Sequence, residues 1–247
     1  MIAIGETKIT KAYLGSTELK NIAIGDELLL SSEPEVVIMT DVTNPDVLTV
    51  CYAQGWVAHA DYMTKKEAEN VTSIGTAFQS NTAITHFEEL QYFTAVTDLA
   101  NNAFDGCSAL ETINLDNILT AGSKSLSATK LEYAWMPVFE GNSIANASNG
   151  MFTNCKSLKA IRFDSITKMG ALSYGSTATY WVVTTTSVPT LSSGRVPSTV
   201  YVRDDMVSSF SSATNWRNRT VKALSSLETD HPECPWISDL RDKGLIT

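Results

Sequence analysis

The chain has 247 residues, 43% of them hydrophobic, enough apolar material for one large domain or two smaller ones. Its 18 lysines and arginines against 27 aspartates and glutamates leave a net charge of −9. That balance argues against nucleic acid and anionic membrane surfaces, which need a basic patch. No run approaches the roughly 18 apolar residues of a membrane span.

Residues 1 to 30 are a threefold repeat of ten: MIAIGETKIT, KAYLGSTELK and NIAIGDELLL. Aliphatic residues recur at Ile4, Leu14 and Ile24, glycines at Gly5, Gly15 and Gly25, and aliphatics again at Ile9, Leu19 and Leu29. Glycine followed by Glu, Ser or Asp between alternating apolar residues is hairpin chemistry. The pattern predicts a small three-stranded β-meander, too small to be stable alone. It therefore docks on a partner, on copies of itself, or on the rest of the chain. These tandem modules resemble the N-terminal segments of bacteriophage structural proteins, where such modules serve attachment. Met1 opens directly on patterned sequence, so no export signal is expected.

Ser31 to Pro34 reads as a linker, and Val36 to Met39 as a strand. Asn44-Pro45 predicts a helix to about Gln54, with Asn44 as N-cap, Pro45 at the first helical position and Gly55 closing it. Thr64 and Glu67 form a capping-box pattern for a second helix ending near Asn70. Both helices, with Trp56, Tyr62 and Met63, are expected to cover the open end of the element that follows.

That element is a second repeat. AFDGCSALETINL places Phe104, Cys107, Leu110, Ile113 and Leu115 at offsets 0, 3, 6, 9 and 11. The offsets recur at Phe152, Cys155, Leu158, Ile161 and Phe163, and more loosely at Phe78, Asn81, Ile84 and Phe87. Degenerate copies are anchored on Leu131, Ala134 and Met136, and on Tyr180 and Val183. A second inward pair precedes the copies: Val96 and Leu99, Ile118 and Ala121, Ile144 and Ala147, Ile166 and Met169. Repeats 21 to 27 residues long predict a solenoid of about five coils, each with one strand. Phe78, Phe104 and Phe152, and likewise Cys107 and Cys155, are expected to stack as buried ladders.

The pattern AFxxCxxLxxIxL resembles the leucine-rich repeats of the BspA-like type, over about residues 71 to 186. The resemblance implies an adhesion or recognition scaffold and no chemistry. After the repeats, TVYV at Thr199 to Val202 predicts a closing strand, followed by a short helix ending near Trp216 with Asp204 or Asp205 as N-cap. Val221 to Leu224 reads as one more strand, and Pro235 to Lys243 as a tail helix ended by Gly244. The tail either extends to a neighbour or folds back. The organisation read from the sequence is mainly β with short helices: meander 1–33, helical cap 34–70, solenoid 71–198, and strand–helix cap with tail 199–247.

Nothing in the sequence carries a catalytic signature. The four cysteines form no CxxC pair and the three histidines are scattered, so no metal or cofactor is expected. The outward strand positions carry the binding hypothesis: His86 and Glu88, Thr112 and Asn114, Tyr133 and Trp135, Ala160 and Arg162, Val182 and Thr184. Tyr133 and Trp135, flanked by Asn114 and Arg162, suit a sugar ring or a protein hot spot. Alternatively a C-terminal segment or another subunit covers them, or a register slip turns them inward. The reading is a non-enzymatic virion subunit, a fibre, spike or decoration protein, assembled in the host cytoplasm. Its expected partners are other virion proteins through residues 1–30, further copies of itself, and a host surface glycan or protein. Neither nucleic acid nor membrane insertion is expected. The alternatives are a bacterial cell-surface adhesin and a cytoplasmic interaction scaffold.

Overall fold

The structure is a computed structural model, and it describes residues 13–14, 17–18, 21–24, 27–31, 36–142, 147–170, 177–191, 197–214 and 216–247. In the decad region, Tyr13–Leu14 pairs antiparallel with Thr17–Glu18, and Asn21–Ile24 with Glu27–Ser31. Among the described residues this is two separate hairpins and not one meander; the first decad lies outside them. The repeat glycines expected to turn these hairpins, Gly15 and Gly25, lie outside the described residues.

The N-terminal cap follows its sequence signals closely. Pro45–Ala53 is helical and buries Val47, Leu48 and Cys51, and Gly55 closes it with φ +71°. Asn44 does not cap this helix with its side chain. Its Nδ2 instead donates to Glu89 Oε2 (2.8 Å) and to His86 O (3.3 Å), tying the cap to the first coil. Lys65–Glu69 carries the predicted capping box: Glu67 N donates to Thr64 Oγ1, and Thr64 N to Glu67 Oε2. Between the helices, Tyr62–Thr64 pairs antiparallel with Val37–Thr40, a strand that the sequence reading missed. Trp56 closes the end of the core against Phe78 and Phe93, with ring centroids 6.2 and 6.4 Å away.

The repeats then wind as a mainly β solenoid of about five coils with parallel strands on two sides. On the front lie His86–Phe87, Thr112–Ile113, Tyr133–Met136, Ala160–Phe163 and Tyr180–Val183. The front continues through Thr199–Val202 and Thr220–Ala223, so the closing segment shares one sheet with the repeats. On the back lie Asp98–Leu99, Thr120–Ala121, Lys168–Met169 and Thr190–Leu191, with Gly141 bridging Thr120 to Lys168 in the third coil. A parallel ladder needs such a crossover at each step, and the turns of the coil supply it.

The turns explain the Phe and Cys positions. Two residues after each first core anchor, the backbone is left-handed: Ser80, Gly106, Ala128 and Asn154 have φ of 59°, 80°, 54° and 60°. The first three of these residues donate their N–H to the next coil, Ser80 to Asp105 O, Gly106 to Ser127 O and Ala128 to Thr153 O. This places the third anchor at Leu126, so the column reads Phe78, Phe104, Leu126, Phe152, all buried. Phe78 and Phe104 stack at 5.3 Å, but Leu126 interrupts the expected continuous phenylalanine ladder. The cysteine ladder is interrupted in the same way by Thr129. Each thiol instead donates to the first anchor of the coil before it, Cys107 Sγ to Phe78 O (2.9 Å) and Cys155 Sγ to Leu126 O (3.1 Å). Burial pushes the Cys107 thiol up to about 12, so it stays a protonated donor.

Two other expectations shift. Tyr180 is not an inward anchor: it pairs with Ala160, which turns it to the front, while Trp181 and Val183 fill the core. All four residues of that strand are buried, so alternation gave no cue to the register. On the back of the third coil, Phe139 and Asn142 are the buried pair, where Ile144 and Ala147 were expected. Ile144 lies outside the described residues, as does the Ala147 side chain.

Gly141 sits where the back strands pass with no room to spare. Its φ is +143°, and a Cβ there would meet Lys168 O at 2.0 Å. Gly141→Ala is expected to cost more than the roughly 1 to 3 kcal/mol of backbone strain, because the close approach to Lys168 O adds to it. Chemical denaturation compared with Gly244→Ala, where a Cβ meets nothing within 4 Å but φ is +65°, checks this. An equal loss in the two variants would mean that the left-handed backbone and not the close approach sets the cost.

Candidate binding surface on the front sheet

Strand alternation divides the front sheet into two faces. Ala134, Met136, Ile161, Phe163, Trp181, Val183, Val200 and Val202 point into the main core. Ala160, Tyr180, Val182 and Tyr201 point the other way, with Tyr133 and Trp135 at the edge of the same cluster. The outward orientation expected for Tyr133 and Trp135 therefore holds, and no register slip occurs. The face is not open, however. Residues 224–246 run back over it and bury Leu224, Leu227, Cys234, Trp236, Leu240 and Ile246 against it. The tail folds in cis.

This cover corrects the reading of Arg162 as an exposed donor. Its side chain is 0% exposed. Nε and Nη2 donate to Asp164 Oδ1 and Oδ2 at 2.8 and 2.9 Å, and Nη1 lies 2.6 Å from Asp239 Oδ2 on the tail helix Ile237–Asp242. The guanidinium lies 4.5 Å from the Trp135 ring centre, and Lys243 Nζ lies 4.9 Å from it. Asp164 is the hub, because it also accepts from Trp135 Nε1 (3.0 Å) and Thr184 Oγ1 (2.8 Å). Burial alone would raise the Asp239 carboxyl, but the ion pairs with Arg162 and Lys243 outweigh it and hold the carboxyl below its ordinary range. Arg162 was misread because its sheet position is indeed outward; the sequence signal overlooked is Asp164 two residues on, which alternation puts on the same face.

The start of the tail is fastened similarly. Tyr201 Oη and Lys222 Nζ both donate to Asp230 Oδ2, at 2.7 and 2.8 Å, and His231 stacks on Tyr180 at 3.9 Å. Asp204 is not an N-cap: its Oδ1 accepts from Ser225 N (3.1 Å), and Asp205 pairs with Arg203. The helix that follows is short, Val207–Ser212.

The tail stops short of the first coils. Trp236 meets Tyr133 edge-on at 5.7 Å, and beyond this pair a groove of about 620 Å³ opens. Its lining includes Glu88, Glu111, Thr112, Lys130, Glu132, Tyr133 and Trp135. The groove overlies a discontinuity. Among the described residues, Thr112–Ile113 pairs only with His86–Phe87, and Tyr133–Met136 only with Ala160–Phe163. The second and third coils are joined here by Lys130 N donating to Leu110 O (3.0 Å) and by a Lys130–Glu111 ion pair.

Of the remaining candidates, His86 is partly covered by the N-terminal cap, its Nε2 lying 3.3 Å from Thr43 O and its Nδ1 3.0 Å from Thr85 Oγ1. Asn114 makes a local turn with Asp116, whose N–H donates to Asn114 Oδ1. The structure thus brings Tyr133 and Trp135 to one wall of the groove, buries Arg162 beneath the tail, holds His86 against the N-terminal cap, and leaves Asn114 in a local turn. Trp236 and Glu111, which line the groove, were not singled out from the sequence.

Residues 72–193 match the model of the BspA type leucine rich repeat region, in six copies. The chain matches no curated protein and no solved structure. The coil geometry and this match agree over the same stretch, so residues 72–193 are similar to a leucine rich repeat region of the BspA type.

Proposed function

We propose that the protein is a non-enzymatic recognition subunit of a bacteriophage particle. Residues 1–30 attach it to other virion proteins, and the groove over the first three coils faces the host surface. One observation carries the recognition half: the tail closes the front face over the later coils and reaches no further than Trp236 toward the first coils, leaving an aromatic-walled groove of about 620 Å³. A cleft of this size with convergent polar groups is what ligand sites require. The attachment half rests on the decad repeat and its two small hairpins, each below the size that is stable alone.

Two variants test the halves separately. Thr112→Arg places a long side chain at an exposed groove position without touching the core. It is expected to keep the melting temperature while abolishing adsorption of the purified protein to the host bacterium. Retained adsorption would remove the groove from the recognition role. Deleting residues 1–30 is expected to leave a folded solenoid that no longer incorporates into particles. An unfolded product would make the hairpins part of the core and end the attachment role.

A further inference from the structure

The lining of the groove specifies more than a concave surface. Three carboxylates, Glu88, Glu111 and Glu132, face it against one ammonium, Lys130. Glu111 is engaged by Lys130, and Glu132 by Lys159 at 2.7 Å. Glu88 is exposed, and its carboxylate makes no hydrogen bond or ion pair among the described residues. Tyr133 and Trp236 line the groove with these acids.

The same face shows how it treats such a combination. Where aromatic rings and carboxylates meet under the tail, basic side chains of this chain fill the space. Arg162 and Lys243 lie over Trp135 at 4.5 and 4.9 Å and pair with Asp164 and Asp239. Lys222 lies 5.7 Å from the Tyr201 ring centre and pairs with Asp230. In each case a ring quadrupole and a carboxylate hold one cation between them. At the groove, Lys159 already lies 5.5 Å from the Tyr133 ring centre and pairs with Glu132, so the carboxylate left without a cation is that of Glu88.

We propose that the groove binds a lysine- or arginine-bearing segment of a partner protein, with one basic side chain meeting the unpaired Glu88 carboxylate and the Lys130–Glu111 pair opening to admit a second. This deepens the recognition reading above and rests on it. The net charge of −9 favours the same class of partner over an acidic one. A neutral glycan uses aromatic walls too, but gains little from unpaired carboxylate charge.

The test uses the full chain and three probes: a fluorescein-labelled peptide of alternating glycine, serine, arginine and lysine, its counterpart with glutamine at every basic position, and a labelled tetrasaccharide of N-acetylglucosamine. The basic peptide is expected to bind at least about tenfold more tightly than the glutamine peptide, and to weaken as salt rises. Glu88→Gln is expected to reduce that affinity about threefold to tenfold, whereas Asp61→Asn, an exposed acid outside the groove, leaves it unchanged. Equal binding of the two peptides, an unchanged affinity in Glu88→Gln, or binding of the tetrasaccharide in preference to the basic peptide would overturn the proposal. Thr112→Arg separates the two readings. If it abolishes host adsorption while the basic peptide fails to bind the intact protein, the groove keeps its role and the basic partner is wrong. If adsorption survives Thr112→Arg, the groove reading itself falls, whatever the peptides do.

Discussion

Asp164→Ala is expected to destabilise the protein by about 3 to 5 kcal/mol, the range for leaving a buried charge without its partner. The Arg162 guanidinium is fully covered, and Asp164 supplies two of its three ionic contacts. The substitution also removes the acceptor of Trp135 Nε1 and of Thr184 Oγ1. Asp239 alone then faces Arg162, and the tail helix loses its registry on the sheet. Urea denaturation checks the magnitude, and Arg162→Met in the same background checks the cause. If the charge is the problem, replacing it with an apolar chain of similar length recovers part of the loss. A loss below about 1 kcal/mol, typical of an exposed pair, would mean that water reaches Arg162 and the tail does not seal the face.

Phe104→Ala is expected to cost a similar amount, about 3 to 5 kcal/mol, for a different reason. Phe104 is fully buried, stacks on Phe78 at 5.3 Å and meets Phe87 edge-on at 6.3 Å. The coils on either side are fixed by ladder hydrogen bonds, so they cannot close the cavity that the ring leaves. Because each coil contacts only its neighbours, the loss should appear first in coils one to three. Hydrogen exchange should show the amides of Glu111 and Asn114, which bond to Thr85 and Phe87, losing protection before those of Ala160–Phe163. Uniform loss along the chain would indicate a single cooperative unit in place of a solenoid.

The solenoid was legible in the sequence because its signal is redundant. Two nearly perfect copies, around Phe104 and Phe152, fixed the offsets by which weaker copies were found. The register failed where redundancy ended. The third copy is one residue shorter between its first anchor, Leu126, and Leu131, and shows neither Phe nor Cys. In YWVV both faces are buried, so Tyr180 and Trp181 were indistinguishable by period. The same strand held the missed clue to the tail. AIRF, YWVV and TVYV carry apolar residues on both faces, which is how a sheet covered on both sides reads. An open recognition face would alternate. Asn44 illustrates a separate limit: the helix start was legible, but the side chain serves a tertiary contact with Glu89 that no local pattern encodes.

The C-terminal tail closes the front face over the later coils, reaches the third at Tyr133 and Trp135, and leaves the first two open. Hydroxyl-radical footprinting of the full chain tests it directly, because tyrosines report on both regions. Tyr180 and Tyr201 are each 1% exposed, and among the described residues only the tail covers their side of the sheet, whereas Tyr52 is 51% exposed on the N-terminal cap. Tyr52 is expected to be modified rapidly and Tyr133, beside the groove, at an intermediate rate, with Tyr180 and Tyr201 protected as completely as core Phe104. Modification of Tyr180 and Tyr201 at the rate of Tyr52 would place the tail elsewhere and contradict it.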